Sequence, residues 1–149
     1  MSEKEGAAET KPRQDIGGLE RLVGKWRVKG GATGTVRYRW MEGGFFLIQE
    51  VDLEQDGERV VGMELIGHLR PFGESEGEAI SSRFYDNRGN TLDYEYELDG
   101  EVLTIWAGSK GSPAYFTGKF SPDGRSNSGS WTYPGGGGYE SVMERIDEE

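Results

Sequence analysis

From Lys25 onward the chain alternates apolar and polar residues in short runs, and Gly, Asp, Asn or Pro interrupts the alternation about every eight to twelve residues. Period-two alternation with this punctuation specifies short strands joined by tight turns, as in an antiparallel sandwich or barrel. Ten runs fall near 24–30, 34–42, 45–54, 58–68, 78–85, 91–98, 101–107, 113–121, 127–133 and 138–146. Glycine supplies 25 of 149 residues and hydrophobic residues only 34%, a balance that suits many strands and turns better than packed helices. The length fits one domain with one core.

The turns specify more than strand number. Gly43-Gly44, Asp56-Gly57 and Asp99-Gly100 each provide the residue pair that a two-residue hairpin needs for positive φ. Short turns make successive strands neighbours, so the expected topology is a single up-and-down antiparallel β-barrel of about ten strands. They also set register. The Gly43-Gly44 turn places Trp40 opposite Leu47, Tyr38 opposite Gln49 and Val36 opposite Val51 on one face, with Arg37 meeting Glu50 on the other. The Asp99-Gly100 turn pairs Tyr96 with Leu103 and Tyr94 with Ile105. A five-residue loop from Asp86 to Asn90 sets Phe84 against Leu92 inside and Arg83 against Asp93 outside.

Residues 1–13 are polar and poor in large apolar side chains, so a disordered tail is expected there, with the barrel domain over 14–149. Asp15 is positioned to cap a short helical turn carrying Ile16, Leu19, Leu22 and Val23, which could close one end of the barrel. The opening residues lack the apolar core of a secretory signal, and no stretch is apolar enough for a membrane-spanning helix. There is no cysteine, hence no disulfide framework or thiolate metal site. These features lead to the expectation of a cytoplasmic protein without a membrane partner. A net charge of -10 argues against nucleic acid.

The helical turn runs into Gly24-Lys25-Trp26, and Arg145 stands near the far end of the last run. A Gly-x-Trp at the start of the first strand, preceded by a short helix and answered by an Arg at the end of the last, resembles the lipocalins and the wider calycin superfamily. The meander order also looks like small bacterial lipocalin-like domains of unknown function. The resemblance implies that Trp26 packs across the barrel floor with Arg145 over its ring, a cation–π contact joining first strand to last. The competing arrangement leaves Arg145 as a surface charge beside Glu144 and Asp147. About ten strands is nearer the fatty-acid-binding proteins and the nitrobindins than the eight of a typical lipocalin. The nitrobindins hold haem through a His, but the one His here, His68, lies mid-chain, so no cofactor is carried over.

The expected lumen is aromatic with polar handles: Tyr38, Trp40, Gln49, Ser82, Tyr94, Tyr96 and Phe116 are candidate ligand-binding residues, with Glu64 and His68 dependent on one turn. A strict two-residue turn at Asp56-Gly57 sends Glu64, Ile66 and His68 inward and turns Met63 and Leu65 outward, where with Phe46 and Ile48 they form an apolar strip suited to a second subunit. One extra loop residue reverses all of these. Hydrophobic bookkeeping favours the reversed arrangement, which buries Met63 and Leu65 and leaves Glu64 and His68 in water. In the filled alternative, the lumen side chains pack the space themselves.

Other motifs carry less. Pro134-Gly135-Gly136-Gly137-Gly138 is glycine-rich, but no helix follows to receive a phosphate. Surface ion pairing with Glu50 and its neighbours accounts for most of the basic stripe of Lys25, Arg27, Lys29, Arg37 and Arg39, with anion or partner docking as the alternative. The serines lack the partner set of acyl transfer, and one His without Cys makes a metal site improbable. Three functions stay open: a carrier of a small hydrophobic or aromatic molecule, an enzyme of the cyclase, isomerase or lyase kind using Glu64, His68 or a Tyr, and a homodimeric interaction module with a filled barrel.

Overall fold

The computed structural model describes residues 11–147. Residues 1–10 of the expected disordered tail lie outside the described residues, while Arg13 donates to Glu78 at 3.3 Å. A short helix α1 (Gln14–Gly17) continues into a 3-10 turn (Gly18–Leu22). Ten strands follow: β1 (Gly24–Gly30), β2 (Thr33–Trp40), β3 (Phe46–Gln55), β4 (Glu58–Gly67), β5 (Ile80–Asp86), β6 (Thr91–Asp99), β7 (Val102–Ala107), β8 (Tyr115–Phe120), β9 (Ser126–Thr132) and β10 (Tyr139–Ile146). Each pairs antiparallel with the next in sequence, and β1 pairs with β10, so the sheet closes on itself as an all-β, up-and-down barrel. Closure leaves no unpaired edge for another chain to extend.

The floor is built by the helical segment. Ile16, Leu19 and Leu22 are buried at the spacing of one apolar face, and Trp26 beneath them is 0% exposed. Burying each such side chain stabilises by about 1.5–3 kcal/mol. Trp26 donates its Nε1 proton to the carbonyl of Leu22 at 2.8 Å, which satisfies the ring's polar edge where no water reaches. Arg145, directly opposite Trp26 in the β1–β10 register, lies over the ring with 4.2 Å between guanidinium carbon and centroid. Gly24 has φ 126°, and a Cβ built there would stand 2.6 Å from Arg145 Nη1. The glycine of the Gly-x-Trp sequence is thus needed both for its backbone conformation and for space.

Asp15 does not cap the helix. The N-cap position is Arg13, with no side-chain cap bond, and the Asp15 carboxylate instead meets His68 Nε2 at 2.8 Å. Two further contacts moor the segment: Arg21 bonds Gly100 O at 3.1 Å and Glu101 at 2.7 Å, and Trp40 Nε1 donates to Glu20 at 2.6 Å.

The register at β2–β3 is the expected one, Trp40 with Leu47, Tyr38 with Gln49, Val36 with Val51. The connection is longer than two residues: Met41 bonds back to Phe46, and Gly44 N–H to Met41 O closes the turn at 3.0 Å. Phe84 faces Leu92 and Arg83 faces Asp93 across the Asp86 loop, also as expected. At β6–β7 the expectation fails by two residues. The turn is Gly100-Glu101, so Tyr96 pairs with Ile105 rather than Leu103, and Tyr94 with Ala107 rather than Ile105. A two-residue shift preserves facing, so both tyrosines remain inward.

The turn that decides Glu64 is strictly two residues long. Gln55 pairs with Glu58, and Asp56 and Gly57 have φ 54° and 79°, the doubly positive pair of a type I′ turn. Gln49 therefore faces Glu64, and the arrangement favoured by hydrophobic bookkeeping is overturned. Glu64 and His68 are each 5% exposed, whereas Met63 is 40% exposed. The two-residue turn sets every pair of the hairpin at once, and the register it sets buries Ile66 completely while leaving Met63 exposed and Leu65 half-buried. The outer strip is narrower than expected, because Ile48 is buried and Phe46 and Leu65 are half-buried.

Candidate functional site

The inward faces enclose a cavity of about 400 Å³, within the lower part of the range of roughly 300–1,000 Å³ occupied by small-molecule sites. It extends from Tyr38, Glu64 and Tyr96 in the barrel interior to Tyr133 and Tyr139 beside the β9–β10 loop. Val28, Val36 and Val51 form an apolar wall on β1 to β3, answered by Leu103, Ile105 and Met143. The aromatic part is a chain of rings. Trp131 lies 6.0 Å from Tyr94, 5.6 Å from Phe116 and 6.0 Å from Tyr133 between centroids, and Tyr133 lies 6.4 Å from Tyr139.

Glu64 is the polar centre. Period-two alternation along β4 aims it inward, and the neighbouring strands bring its partners: Ser82 from β5 donates to Oε2 at 2.5 Å, and Tyr96 from β6 donates to the same oxygen at 2.6 Å. No described residue donates to Oε1. Burial raises the Glu64 carboxyl above its ordinary value, opposed by the Ser82 and Tyr96 bonds, which favour the charged form. On the other side, Gln49 Nε2 donates to the Tyr38 hydroxyl at 2.7 Å. Burial, then the nearby Glu64 charge, lifts Tyr38, Tyr94 and Tyr96 above the usual phenol value. Burial pushes Tyr139 up to about 12. All four phenols are therefore neutral hydrogen-bonding groups near neutral pH.

Of the sequence-predicted ligand residues, Tyr38, Gln49, Glu64, Tyr94, Tyr96 and Phe116 line the cavity. Ser82 stands behind Glu64 and reaches the site through it. Trp40 and His68 do not line it. Trp40 is at the closed end, bonded to Glu20. His68 is committed on both sides, Nδ1 to Gly77 O at 3.0 Å and Nε2 to Asp15 at 2.8 Å, and pins α1 to the β4–β5 connection. Among the described residues there is no group of three or more His, Cys, Asp or Glu able to hold a metal.

Asn127 was not anticipated. It is 1% exposed, lines the cavity from β9, and its Nδ2 has no hydrogen-bond partner. The signal available in the sequence was alternation: with Trp131 inward, Gly129 and Asn127 share its face. A buried amide donor without a partner costs about 1–3 kcal/mol, so its persistence marks a position where a ligand acceptor would be stabilising.

No family model matches the chain, and no curated protein matches it. The architecture alone defines the class: a closed ten-stranded antiparallel β-barrel, floored at one end by a short helix and carrying an aromatic-lined internal cavity with a buried carboxyl.

Proposed function

We propose that this barrel binds and carries a small, largely apolar or aromatic molecule in its lumen, in the manner of the lipocalin-like proteins its Trp26–Arg145 floor resembles. The observation that carries this reading is the cavity itself, apolar-walled yet furnished with Asn127 Nδ2, a buried donor without a partner, and with Glu64, whose described donors Ser82 and Tyr96 both go to Oε2. A barrel serving only as a scaffold gains nothing from leaving a buried donor unpaired, whereas a binding site gains orientation and specificity from it. The Glu64, Ser82 and Tyr96 cluster also suits proton transfer. The sequence-based acid–base scheme loses His68, however, because both of its ring nitrogens are engaged away from the lumen. The carrier reading therefore stands first.

Native mass spectrometry of the protein purified from cells, followed by extraction and identification of what it released, tests the proposal. A stoichiometric small molecule is expected. Its absence, together with failure of apolar fluorophores to bind the purified protein, would overturn the reading.

A further inference from the structure

The cavity lining carries two carboxyls, the buried Glu64 and the half-buried Asp86, whose oxygens accept from Arg88 and Asn90 of its own turn, and among the described residues it carries no lysine, arginine or histidine. Ionic selectivity of an enclosed apolar site is set by the charges it contains, since a buried ion without a partner is expensive. An anionic amphiphile would bring a second negative charge toward Glu64 with no cation in the lining to offset it. A cation would instead meet Oε1, the carboxyl oxygen to which no described residue donates, while Ser82 and Tyr96 hold Oε2. Tyr94, Trp131 and Tyr133 line the same cavity, and aromatic rings of this kind attract cations through the negative quadrupole of their faces. Opposite Glu64 the lumen is different. The strand order places β4 and β9 five steps apart around a ring of ten, so Asn127 and its unpartnered donor stand on the far wall.

Building on the carrier reading above, we propose that the ligand is an organic ammonium ion with an apolar or aromatic body, its charged nitrogen on Glu64 and a hydrogen-bond acceptor toward Asn127. The net charge of -10 works in the same direction, drawing cations toward the molecule and repelling fatty-acid-like anions. This selectivity is the reverse of what a fatty-acid carrier requires.

The test uses three probes of nearly the same shape on the full chain: naphthylethylamine, naphthylethanol and naphthylacetate, titrated by calorimetry near neutral pH. The amine is expected to bind at least about tenfold more tightly than the alcohol, and the acid more weakly than both. In Glu64→Gln the amine and alcohol should fall within about threefold of each other, the alcohol keeping its wild-type affinity. Less than about tenfold preference for the amine, or acid binding that equals it, would overturn the cation assignment and leave lumen binding intact. If none of the three binds, this assignment is overturned, and if no small molecule co-purifies either, the carrier reading fails with it. The wild-type comparison decides the matter even should Glu64→Gln fold poorly.

Discussion

Arg145 lies 4.2 Å from the centroid of the Trp26 ring and sends Nη1 to the carbonyl of Val23 at 2.6 Å and Nη2 to that of Arg21 at 2.8 Å. One side chain thereby joins the last strand, the first strand and the helical floor, contacts separated by more than a hundred residues of chain. A planar fork with several fixed donors can do this, and a lysine cannot. Charged hydrogen bonds of this kind contribute about 1.5–3 kcal/mol each and a partly buried cation–π contact about 1 kcal/mol. Arg145→Ala is therefore expected to lower unfolding free energy by about 2–4 kcal/mol, and Arg145→Lys to recover less than half of it, by urea titration. Gly24→Ala should cost more than about 1 kcal/mol, because the new Cβ meets Nη1 and the φ is unsuited to an L-residue. Wild-type stability in all three would show that Arg145 is a surface charge and nothing more.

The barrel was legible because turn chemistry and alternation are local signals that agree along the chain. All ten strands fall where the runs predicted them, and two hairpins have the predicted pairs. The β6–β7 register was missed because Asp99-Gly100 and Gly100-Glu101 both offer a glycine, and the two alternatives differ by two residues, which changes partners without changing faces. Glu64 and His68 were harder, since burial preference and turn length pointed in opposite directions. The roles of Asp15 and His68 were invisible for a different reason. They meet across 53 positions of sequence, and no local pattern encodes which polar residue a closing helix finds on the strand it covers.

His68 should act as a pin for the floor rather than as a ligand group. A carbonyl only accepts, so His68 Nδ1 carries the proton shared with Gly77. His68→Leu would leave that carbonyl without its partner and free Asp15 from the strand. We expect amide exchange in Gln14–Leu22 and in residues 69–79 to quicken by about tenfold or more, with exchange in the β1 and β10 amides changed far less. Affinity for apolar probes should change little. A large loss of binding with unaltered exchange would place His68 in the lumen chemistry after all.

Glu64 should make stability depend on pH in a defined direction. Burial raises its carboxyl in the folded state above the ordinary 4.5 of the unfolded chain, so the native protein holds this proton more tightly than the unfolded one. The resulting stabilisation is complete below the unfolded value and is lost as pH rises through the folded value. Tyr38, Tyr94 and Tyr96, the titratable groups around it, are raised above the ordinary phenol range and stay neutral over this interval. Relative to Glu64→Gln, the wild type should lose stability with rising pH at up to about 1.4 kcal/mol per pH unit between the two values. Urea titrations of both proteins from about pH 4 to pH 8 would decide this, and parallel curves would mean that Glu64 is not desolvated.

Asn127 offers the sharpest separation of folding from binding. Its Nδ2 is buried without a partner among the described residues, while Leu103, Phe116 and Met143 provide apolar lining of the same cavity. Asn127→Leu keeps the branching and heavy-atom count of the side chain and removes the unpaired donor, so the ligand-free protein should gain about 1 kcal/mol in unfolding free energy. The same change should weaken binding of a naphthylethylamine carrying an acetyl group at the far end of its ring several-fold, because that carbonyl loses the donor opposite Glu64, while unsubstituted naphthylethylamine should be affected far less. A stabilised protein with diminished affinity is the signature of a residue kept for a ligand at the expense of the fold. Loss of stability instead would show that the amide serves packing, and that the polar wall opposite Glu64 has no part in recognition.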